Sequence, residues 1–121
     1  MSPTDSPSTI TSVVYENIAA HNAEDVERYM ATLHSDAPNY DETRNILADM
    51  YRNYDIEHTI TGVDLLKSSK DRAEVSFVLT TRKLQGPSFR DNQVTGVFIL
   101  RKEDGRWKLY DQKVDDIEYL E

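Results

Sequence analysis

The sequence contains no cysteine, which excludes disulfides, thiolate zinc sites and cysteine nucleophiles but leaves the redox compartment open. It also has no long hydrophobic run. The longest, residues 97–100, is far shorter than the roughly 20 apolar residues of a membrane-spanning helix. No pattern of basic, apolar and small residues typical of a signal peptide opens the chain. We therefore expect a cytoplasmic protein that makes no contact with a membrane.

Basic residues are also scarce, because 14 Lys and Arg stand against 22 Asp and Glu, a formal net charge of −8. Sequence-independent binding of nucleic acid depends on a basic surface, so we expect no nucleic-acid partner. The 121 residues are 38% hydrophobic, which suits one domain that buries roughly two-thirds of its unfolded surface. We expect this domain to span residues 10–121, after a flexible segment of residues 1–9 rich in Ser, Thr and Pro.

The first half of the chain has helical periodicity. A first helix is predicted from Ile10, because its apolar residues recur at spacings of three and four. Asn22 is predicted as the N-cap of a second helix, with Asp25 completing a weak capping box. A third helix is predicted over residues 42–53, with Asp41 as its cap and a stripe of apolar side chains: Ile46, Leu47, Met50, Tyr51 and Tyr54.

After Asp55 the period changes to two, which predicts strands over residues 57–67, 73–83, 93–102 and 106–117. Asp104-Gly105 separates the last two strands and is a strong hairpin signal, since Gly accepts the positive φ of a tight turn. Helices followed by antiparallel strands indicate an α+β domain with helices on one face of a single sheet. The second face of strand 73–83 is mixed, which favours a homodimer packed through the outer sheet face.

The segments HNAEDVERYMATLHSDAP and DGRWKLYDQKV resemble the nuclear transport factor 2-like superfamily, over about residues 8–120. Ketosteroid isomerase, scytalone dehydratase and polyketide cyclases are members of it. The combination of SDAPNYDET, GPSFRDN and LRKEDGRWKLY is similar to one subgroup of bacterial members with no established reaction. The resemblance implies a cone-shaped fold, in which a strongly curved sheet wraps around the helices and leaves a pocket for a small, largely apolar molecule.

The enzymes of the superfamily place a general base and a hydrogen-bond donor in that pocket, which requires an acid or imidazole whose pKa lies near neutrality. Ketosteroid isomerases carry the base on a strand between the second and third helices. Here only residues 35–41 occupy that place, too few for the strand. The resemblance therefore favours a small-molecule-binding or protein-association domain that needs no cofactor. The alternative is a cofactor-independent isomerase, dehydratase or cyclase.

Four predicted site residues follow from the pocket that the resemblance implies. His58 and Asp111 are weak candidates for the catalytic base, and the interpretation of His58 as a half-exposed strand residue stays open. Tyr54 is expected beside His58. Tyr40 is either a hydrogen-bond donor at the pocket mouth or a residue that only packs at a helix start.

The loop between the second and third strands supplies the other candidates for ligand binding: Arg82, Phe89, Arg90 and Asn92. An arginine here can pair with a ligand carboxylate in bidentate geometry, although the loop side chains can instead bond the local backbone. His21, His34 and His58 are too dispersed for a metal site. Trp107 is expected in the core, and the parity of the last strand leaves open which of its faces lines the pocket.

Overall fold

The computed structural model describes residues 5–86, 88 and 90–120. Within these residues three helices precede four strands: α1 (Pro7–Asn22), α2 (Val26–Met30), α3 (Tyr40–Asn53), β1 (Asp55–Ser68), β2 (Arg72–Gln85), β3 (Asn92–Glu103) and β4 (Arg106–Tyr119). The strands form one curved antiparallel sheet in the order β1-β2-β3-β4. The predicted α+β class is therefore confirmed. Residues 1–4 of the expected N-terminal segment, and Phe89, lie outside the described residues.

Helix α1 begins at Pro7, so the prediction that it begins at Ile10 is wrong by three residues. The side chain of Ser6 accepts a hydrogen bond from the backbone N–H of Thr9 and caps the helix. Proline is well suited to the first helical turn, because its missing N–H would have no partner there. A run of Ser, Thr and Pro that resembles a linker is thus a helix start.

Two predicted caps are also corrected. Asn22 is the last residue of α1 rather than an N-cap, and Asp25 caps α2 by accepting from the backbone N–H of Arg28. The cap position of α3 is Asn39, whose φ of 58° lies in the left-handed region, whereas Asp41 lies in the first turn. Asparagine tolerates that region better than most residues, and an aspartate in the first turn favours the helix dipole.

The core lies between α1 and the inner face of the sheet, which we define as the face that carries Phe77 and Leu100. Phe77 and Phe98 stack with ring centroids 4.2 Å apart. Trp107 is buried in this core, as expected, and its indole N–H donates to Asp5 at 2.7 Å. The hydrogen bond joins the start of α1 to the β3–β4 hairpin.

The hairpin turn itself is confirmed. Asp104 and Gly105 have φ values of 53° and 78°, and a two-residue turn of type I′ requires positive φ at both positions. Asp104 and Gly105 therefore have the positive φ values that the Asp-Gly pair predicted.

Two β-bulges in β4 settle which of its residues share the inner face. Trp107 and Leu109 are buried there, and the extra residue Tyr110 then shifts the alternation. Gln112 lies opposite Phe98, and a second extra residue at Asp115 shifts the alternation again. The sequence predicts one alternation of inward and outward side chains along the whole strand, whereas each bulge in the structure reverses that alternation.

No helix in the described part of the chain is both long and apolar enough to span a bilayer.

Candidate functional site

A cavity of about 150 Å³ lies where α2, the start of α3 and the inner face of the sheet meet. Leu33, Phe98 and Leu109 supply apolar wall, while Tyr29 and Gln112 add polar groups. We call it the cone cavity. It lies between the helices and the curved sheet, with residues of α2 and β4 on two of its sides.

The size of the cone cavity limits what it can hold. Pockets for drug-sized ligands measure about 300–1,000 Å³, and an apolar cavity of about 150 Å³ holds a molecule of roughly benzene's size. The mixed lining suits an apolar body with one or two hydrogen-bonding groups. The volume suits a single-ring or short-chain molecule.

Two histidines from different elements stack next to the core. The rings of His21, near the end of α1, and His58, in β1, have centroids 3.8 Å apart and planes 13° apart. His21 Nδ1 lies 2.6 Å from the hydroxyl of Tyr51, and His58 Nδ1 lies 3.1 Å from Oγ1 of Thr81. Each imidazole is thereby fixed by a neutral hydroxyl, not by a carboxylate.

Asn22 holds the backbone of β1 in place beside this pair. Its amide Nδ2 donates to the carbonyl of His58 at 2.8 Å, and its Oδ1 accepts from the N–H of His58 at 2.8 Å. A side-chain amide thus replaces a neighbouring strand at this edge position. This use of Asn22 explains why it does not cap α2.

Burial keeps both imidazoles neutral. It lowers the pKa of His21 to about 3, with a smaller contribution from the neighbouring His58. Burial also lowers the pKa of His58 to about 4, because the charged form loses its hydration. The same cause raises the pKa of the Tyr51 hydroxyl. His58 is 8% exposed, and its Nε2 has no hydrogen-bond partner.

Tyr29 links the histidine pair to the cone cavity. Its ring meets the ring of His21 edge-on, with centroids 5.2 Å apart, and it also lines the cavity. Neither histidine lines the cavity itself. The pair therefore supports the cavity wall through Tyr29 and has no direct access to its interior.

The structure distributes the predicted site residues over separate parts of the molecule. His58 is buried and stacks on His21. Tyr54, the C-cap of α3, lines an open surface groove with Gly86. Tyr40 begins α3 and is half-buried. Asp111 is exposed at the border of the cone cavity, and its Oδ1 accepts from the backbone N–H of Gln112.

Of the residues predicted in the loop between the second and third strands, Arg82 lies within β2, Asn92 begins β3, and Arg90 lies between the two strands. Arg82 is exposed and lies opposite Glu57 of the neighbouring strand β1. The guanidinium of Arg90 lies 4.2 Å from the ring centroid of Tyr119. Asn92 Nδ2 donates to the carbonyl of Arg90, as the local-backbone alternative expected. Their ligand contacts, and those of Phe89, stay predictions.

Sequence reasoning missed His21 and Tyr29 as parts of the site. A usable signal existed for His21, because it follows Ile18 by three residues and so continues the buried face of α1. The position of Tyr29 at both the histidine pair and the cavity depends on where α2 docks. That docking cannot be inferred from the period of a five-residue helix.

The geometry is that of the cone-shaped nuclear transport factor 2-like, or cystatin-like, fold, and known structures agree. A protein with a cystatin-like fold from Nostoc punctiforme has a TM-score of 0.71 at 20% identity, covering 88% of this chain and 86% of its own. A ketosteroid isomerase-like protein from Erwinia carotovora atroseptica has a TM-score of 0.65 at 20% identity, covering 90% and 95%. At these identities the likeness shows the fold alone.

The beta subunit of benzoate 1,2-dioxygenase from Burkholderia mallei is similar in the same sense, with a TM-score of 0.75 at 12% identity and coverage of 94% of this chain and 91% of that one. The sequence defines a narrower group. Residues 12–120 match the family described as the C-terminal domain of the anti-sigma-I factor RsgI9, and the chain belongs to that family.

The anti-sigma-I factor RsgI9 of Acetivibrio thermocellus is 34% identical to this chain over 109 residues. The match covers 90% of this chain but only 15% of that protein. The chain thus corresponds to one domain of a much longer relative.

Proposed function

We propose that this chain is a binding domain of the nuclear transport factor 2-like fold that takes a small, largely apolar ligand in the cone cavity and catalyses no reaction on it. The observation that carries the proposal is the cavity of about 150 Å³, with apolar walls from Leu33, Phe98 and Leu109 beside the polar groups of Tyr29 and Gln112. This lining provides a place for a ring and a partner for one polar substituent.

Binding is favoured over catalysis by the state of the titratable groups. The two buried imidazoles have a lowered pKa and do not line the cavity, whereas a general base works best with a pKa near the working pH. The carboxylate at the cavity border, Asp111, is exposed and faces the backbone of Gln112. The described residues thus offer a shaped cavity without a tuned base.

Filling the cavity tests the proposal. Thr43, on α3, lines it, so Thr43→Phe is expected to occlude it, while Glu42→Phe places the same ring on the exposed side of the same helix. A library of single-ring compounds is titrated into isotope-labelled protein and followed by amide chemical shifts. We expect hits that shift residues around Leu33 and Leu109, that Thr43→Phe abolishes and that Glu42→Phe retains. Hits unaffected by Thr43→Phe would overturn the proposal.

The family supports a regulatory setting. Because the relative is an anti-sigma-I factor of which this chain matches 15%, we propose that the domain serves a larger regulatory protein as its ligand-binding part, with a sigma factor as the eventual protein partner. We further propose a cytoplasmic site of action. Cell fractionation of the protein, and co-purification of a sigma factor with it, are the tests. Recovery in the membrane fraction, or no sigma factor in the purified sample, would contradict this part of the proposal.

One observation favours an enzyme as the second candidate, namely the buried Nε2 of His58 without a partner. An isomerase, dehydratase or cyclase would use His58 or Asp111 as base and a tyrosine as donor. Turnover of a panel of enolisable ketones by the natural chain, abolished in His58→Gln or Asp111→Asn, would establish it. Absence of turnover by the natural chain, or turnover in both variants equal to that of the natural chain, would exclude the enzyme.

We also propose a homodimer through the outer face of the sheet, opposite the inner face. Val78, Val97 and Ile99 are half-buried on that face in the single chain. Sedimentation equilibrium is expected to show a dimer that Val97→Asp converts to a monomer. A monomer for the natural sequence would contradict this part of the proposal.

A further inference from the structure

Strand β4 changes character after Tyr110. Trp107 and Leu109 are buried, but every residue from 111 to 119 is exposed. Val114, Ile117 and Tyr119 are exposed to 50%, 46% and 49%. Single exposed apolar residues are ordinary, whereas three along one strand form a patch that needs an explanation. We call residues 111–119 the open half of β4.

The open half of β4 also has a free edge, because β4 is the last strand of the sheet. Next to Leu109 that edge is already used. The N–H of His34 donates to the carbonyl of Leu109, and the N–H of Leu109 donates to the carbonyl of Thr32, both at 2.8 Å. Beyond Leu109, no backbone group in residues 5–86, 88 and 90–120 pairs with it from outside the sheet. The segment of residues 32–34 thus pairs in parallel with the edge at Leu109, and the edge beyond Leu109 is open.

The two faces of the open half differ in chemistry. The inner face carries Gln112 and then becomes apolar, since Val114 and Ile117 lie opposite Gly96 and Val94. The outer face is mostly acidic, and its side chains are those of Asp111, Lys113, Asp116 and Glu118. Neighbouring strands interact through side chains on the same face. A complementary strand therefore has apolar side chains on one face and basic side chains on the other.

A second copy of this chain is a poor occupant of the edge. It would place its own Asp116 and Glu118 next to the same carboxylates, and like charges on adjacent strands are destabilising. Charges and bulges are devices by which proteins prevent edge strands from pairing with themselves, and here they favour a partner of the opposite charge.

We propose that the open half of β4 binds an extended protein segment of alternating apolar and basic residues, which adds to the sheet as a fifth strand. Backbone hydrogen bonds provide affinity in this mode of recognition, and alternate side chains provide specificity. The site meets the cone cavity at Asp111 and Gln112, but its occupation by a strand does not require a ligand in that cavity.

A peptide of nine residues that alternates valine and lysine, with blocked termini, is the probe. Titrated into isotope-labelled protein, it is expected to shift the amides of residues 111–119 and to slow their hydrogen exchange. The same peptide with glutamate for lysine is expected not to bind. Two further peptides carry N-methyl groups on one or the other alternate set of amides; the proposal requires that one loses binding and the other retains it, and any other pattern contradicts it.

Variants of the chain separate this site from a nonspecific acidic surface. The double change Asp116→Lys and Glu118→Lys is expected to weaken the lysine peptide by roughly tenfold, because two cross-strand charge pairs become repulsive, and to allow the glutamate peptide to bind. The matched control is Glu57→Lys with Asp64→Lys, on the outer face of β1. An equal loss in the control would overturn the proposal. Exchange protection of residues 111–119 that rises with protein concentration, without peptide, would identify a second copy as the occupant and overturn it as well.

Discussion

Asn22 and the two stacked histidines show how much one residue can determine in this fold. Asn22 makes two hydrogen bonds with the backbone of His58, and His58 in turn stacks on His21. The side chain of Asn22 thus joins the end of the first helix to the first strand. The histidine pair that supports Tyr29 at the cavity depends on this connection.

We predict that Asn22→Ala lowers the free energy of unfolding by about 1–2 kcal/mol, since a net hydrogen bond contributes about 1 kcal/mol and two are lost. Urea denaturation followed by tryptophan fluorescence measures the change. Asn45→Ala, at an exposed position of α3, is the matched control and is expected to change stability little. Equal effects of the two substitutions would show that the contacts of Asn22 do not matter.

The histidine pair predicts a pH dependence of stability. Both pKa values lie below the ordinary 6.5 in the folded chain, so below pH 6.5 the unfolded chain binds protons that the folded chain does not. The free energy of unfolding should therefore fall as the pH falls from 6.5 toward about 4, by up to about 1.4 kcal/mol per pH unit for each imidazole.

Urea denaturation between pH 7 and 4.5 measures this slope. Above about pH 5.5 the slope comes from the imidazoles, whereas toward pH 4.5 carboxylates with a lowered pKa, such as Glu16 and Glu103, begin to lose their contribution as well. The double variant His21→Gln and His58→Gln is expected to flatten the curve, whatever its absolute stability. A slope that survives in the double variant would have to come from other groups.

At the scale of the element, β4 contributes residues to the cone cavity and also forms the open edge of the sheet. Its first half packs against the core, and the residues of its second half are exposed. The bulges at Tyr110 and Asp115 rotate its side chains so that Gln112 and Val114 stay on the inner face. Without the first bulge, Asp111 would lie on that face instead.

Gly96 makes the path of β4 possible. A Cβ at this position would lie 2.2 Å from the carbonyl oxygen of Lys113 and 3.0 Å from the ring of Phe77. Gly96→Ala is therefore expected to destabilise the fold by about 3 kcal/mol, in the range of overpacked core substitutions. Gly62→Ala is the control, since its Cβ would meet only a side-chain methyl of Val78 at 3.2 Å. Denaturant midpoints that drop equally would contradict this role for Gly96.

The sequence predicted the elements better than their relations. The alternation of residues 73–83 and the Asp-Gly turn sufficed for the sheet and the hairpin, because both signals are local. The bulges in β4 were not predictable, since they depend on how Gly96 and Phe77 pack across strands. The pairing of His21 with His58 brings together residues 37 positions apart, which no local pattern encodes.

At the scale of the whole molecule, the sheet divides into a covered part and an uncovered part. Helix α1 and the core close one end, and the cone cavity lies where α2 and α3 meet β4. The open half of β4 continues the sheet beyond them. A small ligand in the cone cavity and an extended protein segment on the open half of β4 would thus bind at neighbouring sites, and both would contact β4.

The central claim is that the cone cavity holds a small, largely apolar ligand, and nuclear Overhauser effects between a bound compound and the methyl groups of the cavity test it most directly. For a single-ring compound found by titration, the account predicts contacts from the ring to the methyls of Leu33 and Leu109, which line the cavity. These contacts should disappear in Thr43→Phe. Contacts confined instead to exposed methyls such as those of Leu66 or Leu84, outside the cavity, would contradict the claim.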